Sequence, residues 1–196
     1  MSRKKVPEST NPPELYYDDL ESKKYHLNTR INKIQLDIAD RCIDLLEIKS
    51  LKNIFLDIGC GSGISSQNIC NDNIVIGTDI SMSMLALNQI NDGKVESDIG
   101  MQWPFQDKSF DYAISCSVIQ WLFQSYKRED IPRKRIKMFF KELNRVVIHG
   151  CSLQFYGTNK EAEIFMKEAK IAGFKGGMQI DAEGTKQEKK YLVLFT

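Results

Sequence analysis

The sequence is short of the features that mark secreted, membrane-spanning or metal-loaded proteins. Its five cysteines, Cys42, Cys60, Cys70, Cys116 and Cys151, are odd in number and widely spaced, with no C-x-x-C pair among them. That spacing argues against a disulfide framework and a thiolate zinc site, and the thiols are expected to be reduced, mostly buried and intracellular. The two histidines, His26 and His149, stand far apart and suggest no metal. No stretch approaches the roughly 18 apolar residues of a membrane span, and no apolar run follows the charged start MSRKKVPESTNPPE, so neither secretion nor membrane insertion is expected. An excess of either charge is missing too. With 27 Lys and Arg against 26 Asp and Glu the net charge is +1, low for a chain that grips nucleic acid unaided, so a nucleic-acid partner must meet a local patch or arrive with a complex. No internal repeat is visible.

What is present suits one ordinary domain: 196 residues, 42% hydrophobic and 10% aromatic. Residues 1–13 hold three of the five prolines among Ser, Thr, Asn and charges, which predicts a flexible tail ahead of a domain over 14–196. Within that domain, 14–50 is read as an N-terminal lid and helix and 51–196 as the core. Ile31, Ile34, Ile38, Cys42, Leu45 and Leu46 follow a helical period from a cap at Asn28 or Thr29 to Ile48. Strand-like runs then alternate with helical ones. Strands are predicted at 53–58, 73–79, 94–98, 110–116 and 152–156. Helices are expected after the glycine turn, from Ser81 to Ile90, near Trp121, over 130–147 and over 159–172 before Gly173. Runs at 177–181 and 191–195 suit an antiparallel hairpin. The pattern reads as an α/β, Rossmann-like fold with a mostly parallel seven-stranded sheet closed by a C-terminal antiparallel hairpin.

The chemistry centres on FLDIGCGSG, residues 55–63, where a buried strand ends at Asp57 and turns through Gly59, Gly61 and Gly63. Glycines there permit positive φ and a close approach of ligand to backbone at the carboxyl end of a strand. The next strand ends in Asp79, 22 residues after Asp57, near the spacing between a glycine fingerprint and a ribose-binding acid. Dinucleotide enzymes share that spacing. An acid directly before the glycines, however, suits a cationic amino group and sulfonium and would repel a pyrophosphate, which favours S-adenosylmethionine over NAD.

DIGCGSG followed by GTDIS and ML resembles the class I methyltransferase superfamily, in which the glycine loop holds the donor's methionine moiety and the counterpart of Asp79 its ribose. PPELYYDD (12–19), KKYHLNTRI (23–31), DISMSML, IQWL (119–122), QFY (154–156) and AGFKGG (172–177) are similar to the eukaryotic small-subunit (18S) ribosomal RNA guanine-N7 methyltransferase family. The resemblance runs from residue 12 to 195, and motifs outside the loop carry it. It implies an S-adenosylmethionine-dependent enzyme that methylates N7 of one rRNA guanosine during ribosome assembly, in nucleus and cytoplasm. It also implies a small zinc-binding activator protein as partner. Where the family has QFYP, this chain has Gly157 after Tyr156. A small-molecule methyltransferase and a ribosome-assembly scaffold remain the alternatives.

Guanine N7 carries an in-plane lone pair and needs no general base, so alignment is the main requirement. Accordingly SCSVIQW (115–121) lacks the N-P-P-Y type motif of enzymes that methylate amide or exocyclic amino nitrogens. Gln120 and Trp121, with Ser117, Tyr16 and Tyr17, are candidates for positioning guanine, an amide pairing with a base edge and an aromatic face stacking. Trp121 suits a helix core equally well. By the resemblance, Asp98 and Ile99 fall where the adenine is held, and Cys60, Ile80 and Ser115 complete the donor set. Tyr16, Tyr17, Tyr25 and Arg30 are candidates for a lid over the donor, Arg30 toward the donor's carboxylate; otherwise Arg30 is a solvent charge. Clusters at Arg3–Lys5, Lys127 with Arg128, Arg133–Arg135 and Lys189 with Lys190 are candidate phosphate contacts. The short strand Lys94, Val95, Glu96, Ser97 and Asp98 is expected at the sheet edge as the activator's docking site, with Met82, Ile99, Met101 and Trp103 as apolar surface nearby.

Overall fold

The computed structural model describes residues 7–48 and 52–196. Strands β1 (Ile54–Ile58), β2 (Ile74–Asp79), β3 (Gly93–Glu96), β4 (Phe110–Cys116), β5 (Val147–Phe155), β6 (Lys175–Asp181) and β7 (Lys189–Phe195) form one sheet ordered β3-β2-β1-β4-β5-β7-β6. β1 to β5 pair in parallel, and β7 runs antiparallel to β5 and β6. The chain builds outward from β1 to β3 and then crosses back to β4. That reversal between β1 and β4 leaves a crevice at the strands' carboxyl ends, where such sheets bind ligands.

Apolar runs bury the sheet on both faces. On one face Leu56 and Ile58 meet Phe139, Phe140 and Leu143 of α5 (Pro132–Val146), packed beside α6 (Asn159–Ile171). On the other, Phe55 and Val75 meet Ile38, Ala39 and Cys42 of α3 (Thr29–Asp44). The Asn28 side chain caps α3 by accepting from the Ile31 N–H at 3.1 Å. Thr158 and Glu161 form a capping box on α6, and Gly173 ends it with φ +104°. α4 (Met82–Leu87) starts at Ser81 as expected but stops three residues before Ile90. Among the described residues no helix is long and apolar enough to cross a membrane.

Several elements differ from the sequence expectation. The helices predicted after the glycine turn and near Trp121 are short 3-10 segments, Ile64–Ser66 and Ile119–Phe123. Beside the short α1 (Pro13–Tyr16), a further helix, α2 (Asp19–Leu27), is capped by Asp18. The flexible tail expected over 1–13 does not reach residue 13. Pro7–Ser9 forms a 3-10 turn with Glu8 5% exposed, while Arg3–Lys5 lie outside the described residues.

Candidate active site

The loop after β1 owes its shape to glycine. Gly59, Gly61 and Gly63 have φ of +71°, +52° and +88°, and side chains resist that region. A Cβ at Gly59 would collide with Val118, and one at Gly61 would stand 2.7 Å from the Met84 methyl. The Thr78 carbonyl accepts from the Gly59 and Cys60 N–H groups at 2.7 and 2.9 Å, and Asp79 Oδ2 accepts from Gly61 N–H at 2.9 Å. The other Asp79 oxygen accepts from Ser81 N–H at 2.8 Å. Burial pushes this carboxyl above its ordinary range, against the pull of those backbone donors.

A cavity of about 320 Å³ opens over the loop. On its β2–β3 side stand Asp79, Ile80, Asp98 and Ile99; on its β4–β5 side stand Ser117, Trp121 and Tyr156. Tyr17 and Tyr25 cover it from the N-terminal segment, with ring centroids 5.7 Å apart, and Tyr17 lies 6.3 Å from Trp121. Trp121 is 8% exposed and lines the cavity, so the stacking face and the core residue are one side chain. The Tyr17 carbonyl accepts from Ser81 Oγ at 2.8 Å, which ties this cover to the cap of α4.

Not every predicted site residue reaches the cavity. Asp57 is wholly buried beneath the loop, where Oδ2 accepts from Ser65 and Ser66 hydroxyls at 2.6 and 2.5 Å. It shapes the loop rather than lining the cavity, because strand alternation turns it to the face of Phe55. Ser115 is also buried, donating to the Ile58 carbonyl at 2.9 Å across the β1–β4 seam. Gly63 stays behind the loop, its N–H closing the turn onto the Cys60 carbonyl at 2.9 Å. Arg30 is exposed on the first turn of α3 and Tyr16 packs outside the cavity, 4.9 Å from Tyr17. Gln120 is 5% exposed but turned away, donating to the Ser117 carbonyl at 2.6 Å.

The structure adds residues that motif reading missed. Arg135, grouped by sequence with a basic cluster, lines the cavity and forks onto Asp98 at 2.9 and 3.2 Å while reaching Asp130 at 3.2 Å. Its neighbours Arg133 and Lys134 point outward. The signal was available, since Arg135 borders the apolar stripe of Ile136, Phe139 and Phe140. Lys190 is 6% exposed and donates to the Gly157 carbonyl, so it is not a free phosphate contact. Ile31, Ile34 and Gln35 of α3 supply another wall.

These residues fit S-adenosylmethionine. Ser62 Oγ, on the glycine loop and lining the cavity, is buried without a hydrogen-bond partner, as expected of a group kept for a polar ligand. Asp79 stands where ribose hydroxyls would donate, and Ile80 and Ile99 offer an apolar slot for a purine. Among the described residues no cluster of His, Cys, Asp and Glu is placed to hold a metal.

A methyltransferase domain model matches residues 56–155. Magnesium protoporphyrin IX methyltransferase from Synechocystis, solved with bound S-adenosylmethionine, has this fold at TM-score 0.68 and 16% identity, over 100% of this chain and 99% of its own. A TehB-like S-adenosylmethionine-dependent methyltransferase from Corynebacterium glutamicum aligns at TM-score 0.63 and 16% identity, over 91% of this chain and 99% of its own. Fold and site define a class I S-adenosylmethionine-dependent methyltransferase.

Within that class, sequence similarity is much higher to one group. A probable 18S rRNA (guanine-N7)-methyltransferase from Dictyostelium discoideum is 46% identical over 100% of this chain and 71% of its own length. The 18S rRNA (guanine-N7)-methyltransferase of Schizosaccharomyces pombe is 38% identical over 100% of this chain and 74% of its own. The chain belongs to the 18S rRNA (guanine-N7)-methyltransferase family.

Proposed function

We propose that this enzyme methylates N7 of a guanosine in small-subunit rRNA during ribosome assembly, acting in nucleus and cytoplasm in complex with a small zinc-binding activator protein. Identity of 46% to a relative so named, along the whole chain and outside the glycine loop, carries the reading. The donor supplies a methyl group activated by its sulfonium. Asp79 holds the ribose, the glycine loop and Ser62 the methionine moiety, and Ile80 and Ile99 flank the adenine. The Asp98 carboxylate, already oriented by Arg135, faces that purine. Trp121 and Tyr17 offer faces on which a base can stack, and a base becoming cationic is favoured beside such faces. No proton has to leave N7 before attack, which agrees with an acceptor side walled by Trp121, Tyr17, Tyr156 and Ser117 and without a histidine.

Electrostatics of α5 supports an RNA substrate. Arg133, Lys134, Lys137 and Lys141 are exposed within one arc of that helix, and its single acid, Glu142, is buried and paired with Arg145 at 2.6 Å. A basic stripe on the helix that carries Arg135 into the cavity gives phosphates a track beside the site despite a net charge of +1. Mapping N7-methylguanosine in small-subunit rRNA, with and without the enzyme, tests the reading. One modified guanosine should vanish without it and stay weak with the four stripe residues changed to glutamate. Unchanged rRNA, with methyl transfer to a small metabolite instead, would overturn the reading.

The activator would dock on β3. It is a terminal strand, and because Ser97 N–H bonds the Asp79 carbonyl at 3.0 Å in the register that sets Val95 beside Thr78, alternation turns the Val95 N–H inward to β2 and the Lys94 and Glu96 N–H groups to the free edge. Lys94 and Glu96 are exposed there, Ser97 N–H bonds back to the Asp79 carbonyl at 3.0 Å, and Asp98 has already turned into the cavity. Met82 and Met101, 58% and 59% exposed, flank the edge. Ile99 and Trp103, expected beside them, instead pack inside at 9% and 4% exposure. Glu96→Pro, which removes an edge-facing N–H, is expected to weaken capture of the activator about tenfold, with circular dichroism unchanged; undiminished capture by a folded variant would rule out edge docking.

A further inference from the structure

Arg135 stands on α5 among exposed cations, yet its own side chain is only 17% exposed and its guanidinium is committed to two carboxylates. Nη2 and Nη1 donate to Asp98 Oδ1 and Oδ2 at 2.9 and 3.2 Å, and Nη1 also donates to Asp130 Oδ1 at 3.2 Å. Asp130 is held in turn, its Oδ2 accepting from the Tyr126 and Lys127 N–H groups at 3.2 and 2.9 Å. Nε is buried without a partner. The fork thus meets Asp98 end-on, which leaves one buried donor unpaired, at a cost in stability, and fixes the plane of the Asp98 carboxylate.

Gly100 makes room for this arrangement. A Cβ there would stand 2.7 Å from Arg135 Nε and 2.9 Å from Cζ, so the guanidinium lies against the Gly100 backbone, while the Gly100 N–H donates to Asp98 Oδ1 at 2.8 Å. Asp98 Oδ1 therefore takes two donors and Oδ2 one. A carboxylate accepts about four hydrogen bonds, so one acceptor site remains, and it belongs to Oδ2. Asp98, Ile99 and Arg135 all line the cavity. One free acceptor beside an apolar slot suits a flat base with an N–H at its edge. Adenine supplies that donor in its 6-amino group, whereas guanine and hypoxanthine carry an oxygen at the same carbon.

We propose that Arg135 is a positioning residue for the donor's base: by forking onto Asp98 it directs the remaining acceptor of that carboxylate at the adenine 6-amino group, and so sets the preference for an adenine-carrying donor. The inference rests on the reading of the cavity as a site for S-adenosylmethionine with its purine beside Asp98. Its test is calorimetry on the full chain with S-adenosylhomocysteine and with its purine-riboside counterpart, which has hydrogen in place of the 6-amino group and is otherwise identical.

Wild type should bind the adenine compound about tenfold or more tightly than the purine compound, the scale of one hydrogen bond to a charged group. Arg135→Gln should lose most of that preference, the adenine compound weakening about tenfold and the purine compound changing little. A merely structural loss would weaken both compounds alike and leave their ratio as it was. Arg135→Lys keeps the charge but cannot fork, and should not restore the ratio. Gly100→Ala keeps every charge, and Gly100 lies outside the left-handed region, so the new Cβ acts by pushing the guanidinium off Asp98; the ratio should fall there too. A wild-type ratio that survives in folded Arg135→Gln would overturn the proposal. Should that variant not fold, the ratio in Gly100→Ala decides in the same way. Asp98→Ala separates the proposal from the reading beneath it. Loss of the preference in Asp98→Ala alone, with Arg135→Gln like wild type, overturns the role of Arg135 and keeps adenine beside Asp98. A wild-type ratio near one, or one that Asp98→Ala leaves unchanged, removes adenine from Asp98 and the proposal with it.

Discussion

Changing Asp79 to lysine is expected to raise the donor's dissociation constant at least a hundredfold, read by calorimetry on a folded variant. Asp79 faces the cavity while each of its oxygens already takes one backbone N–H, Gly61 at 2.9 Å and Ser81 at 2.8 Å. A carboxylate accepts about four hydrogen bonds, so lone pairs remain for the ribose hydroxyls. Two hydrogen bonds to a charged group contribute about 1.5–3 kcal/mol each, and every 1.4 kcal/mol is about tenfold in affinity. Lysine would remove those acceptors, release the glycine loop from the end of β2, and set a positive charge beside a cationic ligand. Near-normal affinity would mean that the ribose binds elsewhere.

Asp57→Asn is expected to change stability in a pH-dependent way. Burial pushes the Asp57 carboxyl up to about 6, although the Ser65 and Ser66 hydroxyls and their hydrogen bonds pull it down. The folded protein therefore holds this proton more tightly than the unfolded chain. The resulting stabilisation is complete below about pH 4 and is lost as pH rises through about 6. Roughly two pKa steps correspond to about 3 kcal/mol, an upper figure for one buried group. Asparagine does not titrate. Stability of the variant relative to wild type, both without donor, should improve by up to about 3 kcal/mol between pH 4 and pH 6.5 in urea denaturation. A difference that stays flat with pH would mean Asp57 is already ionised at pH 4. An acid kept at this cost beneath the loop suits a site whose ligand is a cation.

Much of the fold was legible because its strands are dense apolar runs. FDYAISC was read with the bounds of β4, and IFLDI and NIVIGTD came within a residue of β1 and β2. α2 was not legible, because DLESKKYHL buries only Ser22 and carries no apolar stripe; an Asp18 cap and contacts with α4 hold it. The 3-10 turns at Ile64–Ser66 and Ile119–Phe123 are too short for a helical period to declare itself. Within the site, residues fixed by backbone geometry were readable and residues fixed by side-chain direction were not. The glycines and Asp79 follow from a strand-turn pattern. Asp57 and Ser115 lie at strand ends as donor ligands should, but each points into packing. Gln120 sits one residue from Trp121 and turns to the Ser117 carbonyl instead of the cavity. Arg135 gave the converse error, a charge in a basic run delivered to the cavity by tertiary contacts.

α5 ends at Val146 and β5 begins at Val147, with no loop between them. One uninterrupted stretch thus carries Arg135 beside Asp98 in the cavity and leads through Gln154 to Tyr156 on its β4–β5 side, and β5 is clamped by β4 and β7 along its length. The site has a fixed jaw. Its two ends meet at one cavity because α5 and β5 double back on each other at Val146–Val147, so the packing of the helix on the sheet sets their spacing. The opposite jaw is residues 7–27. That jaw is fastened across the cleft by a few polar contacts: Tyr156 and Tyr126 to Glu8, Ser81 to Tyr17, and Ser83 to Asp19. Such latches open locally at little cost compared with a packed sheet. The two jaws are thus held by different means, and the latched one contains PPELYYDD, where the resemblance to its relatives begins.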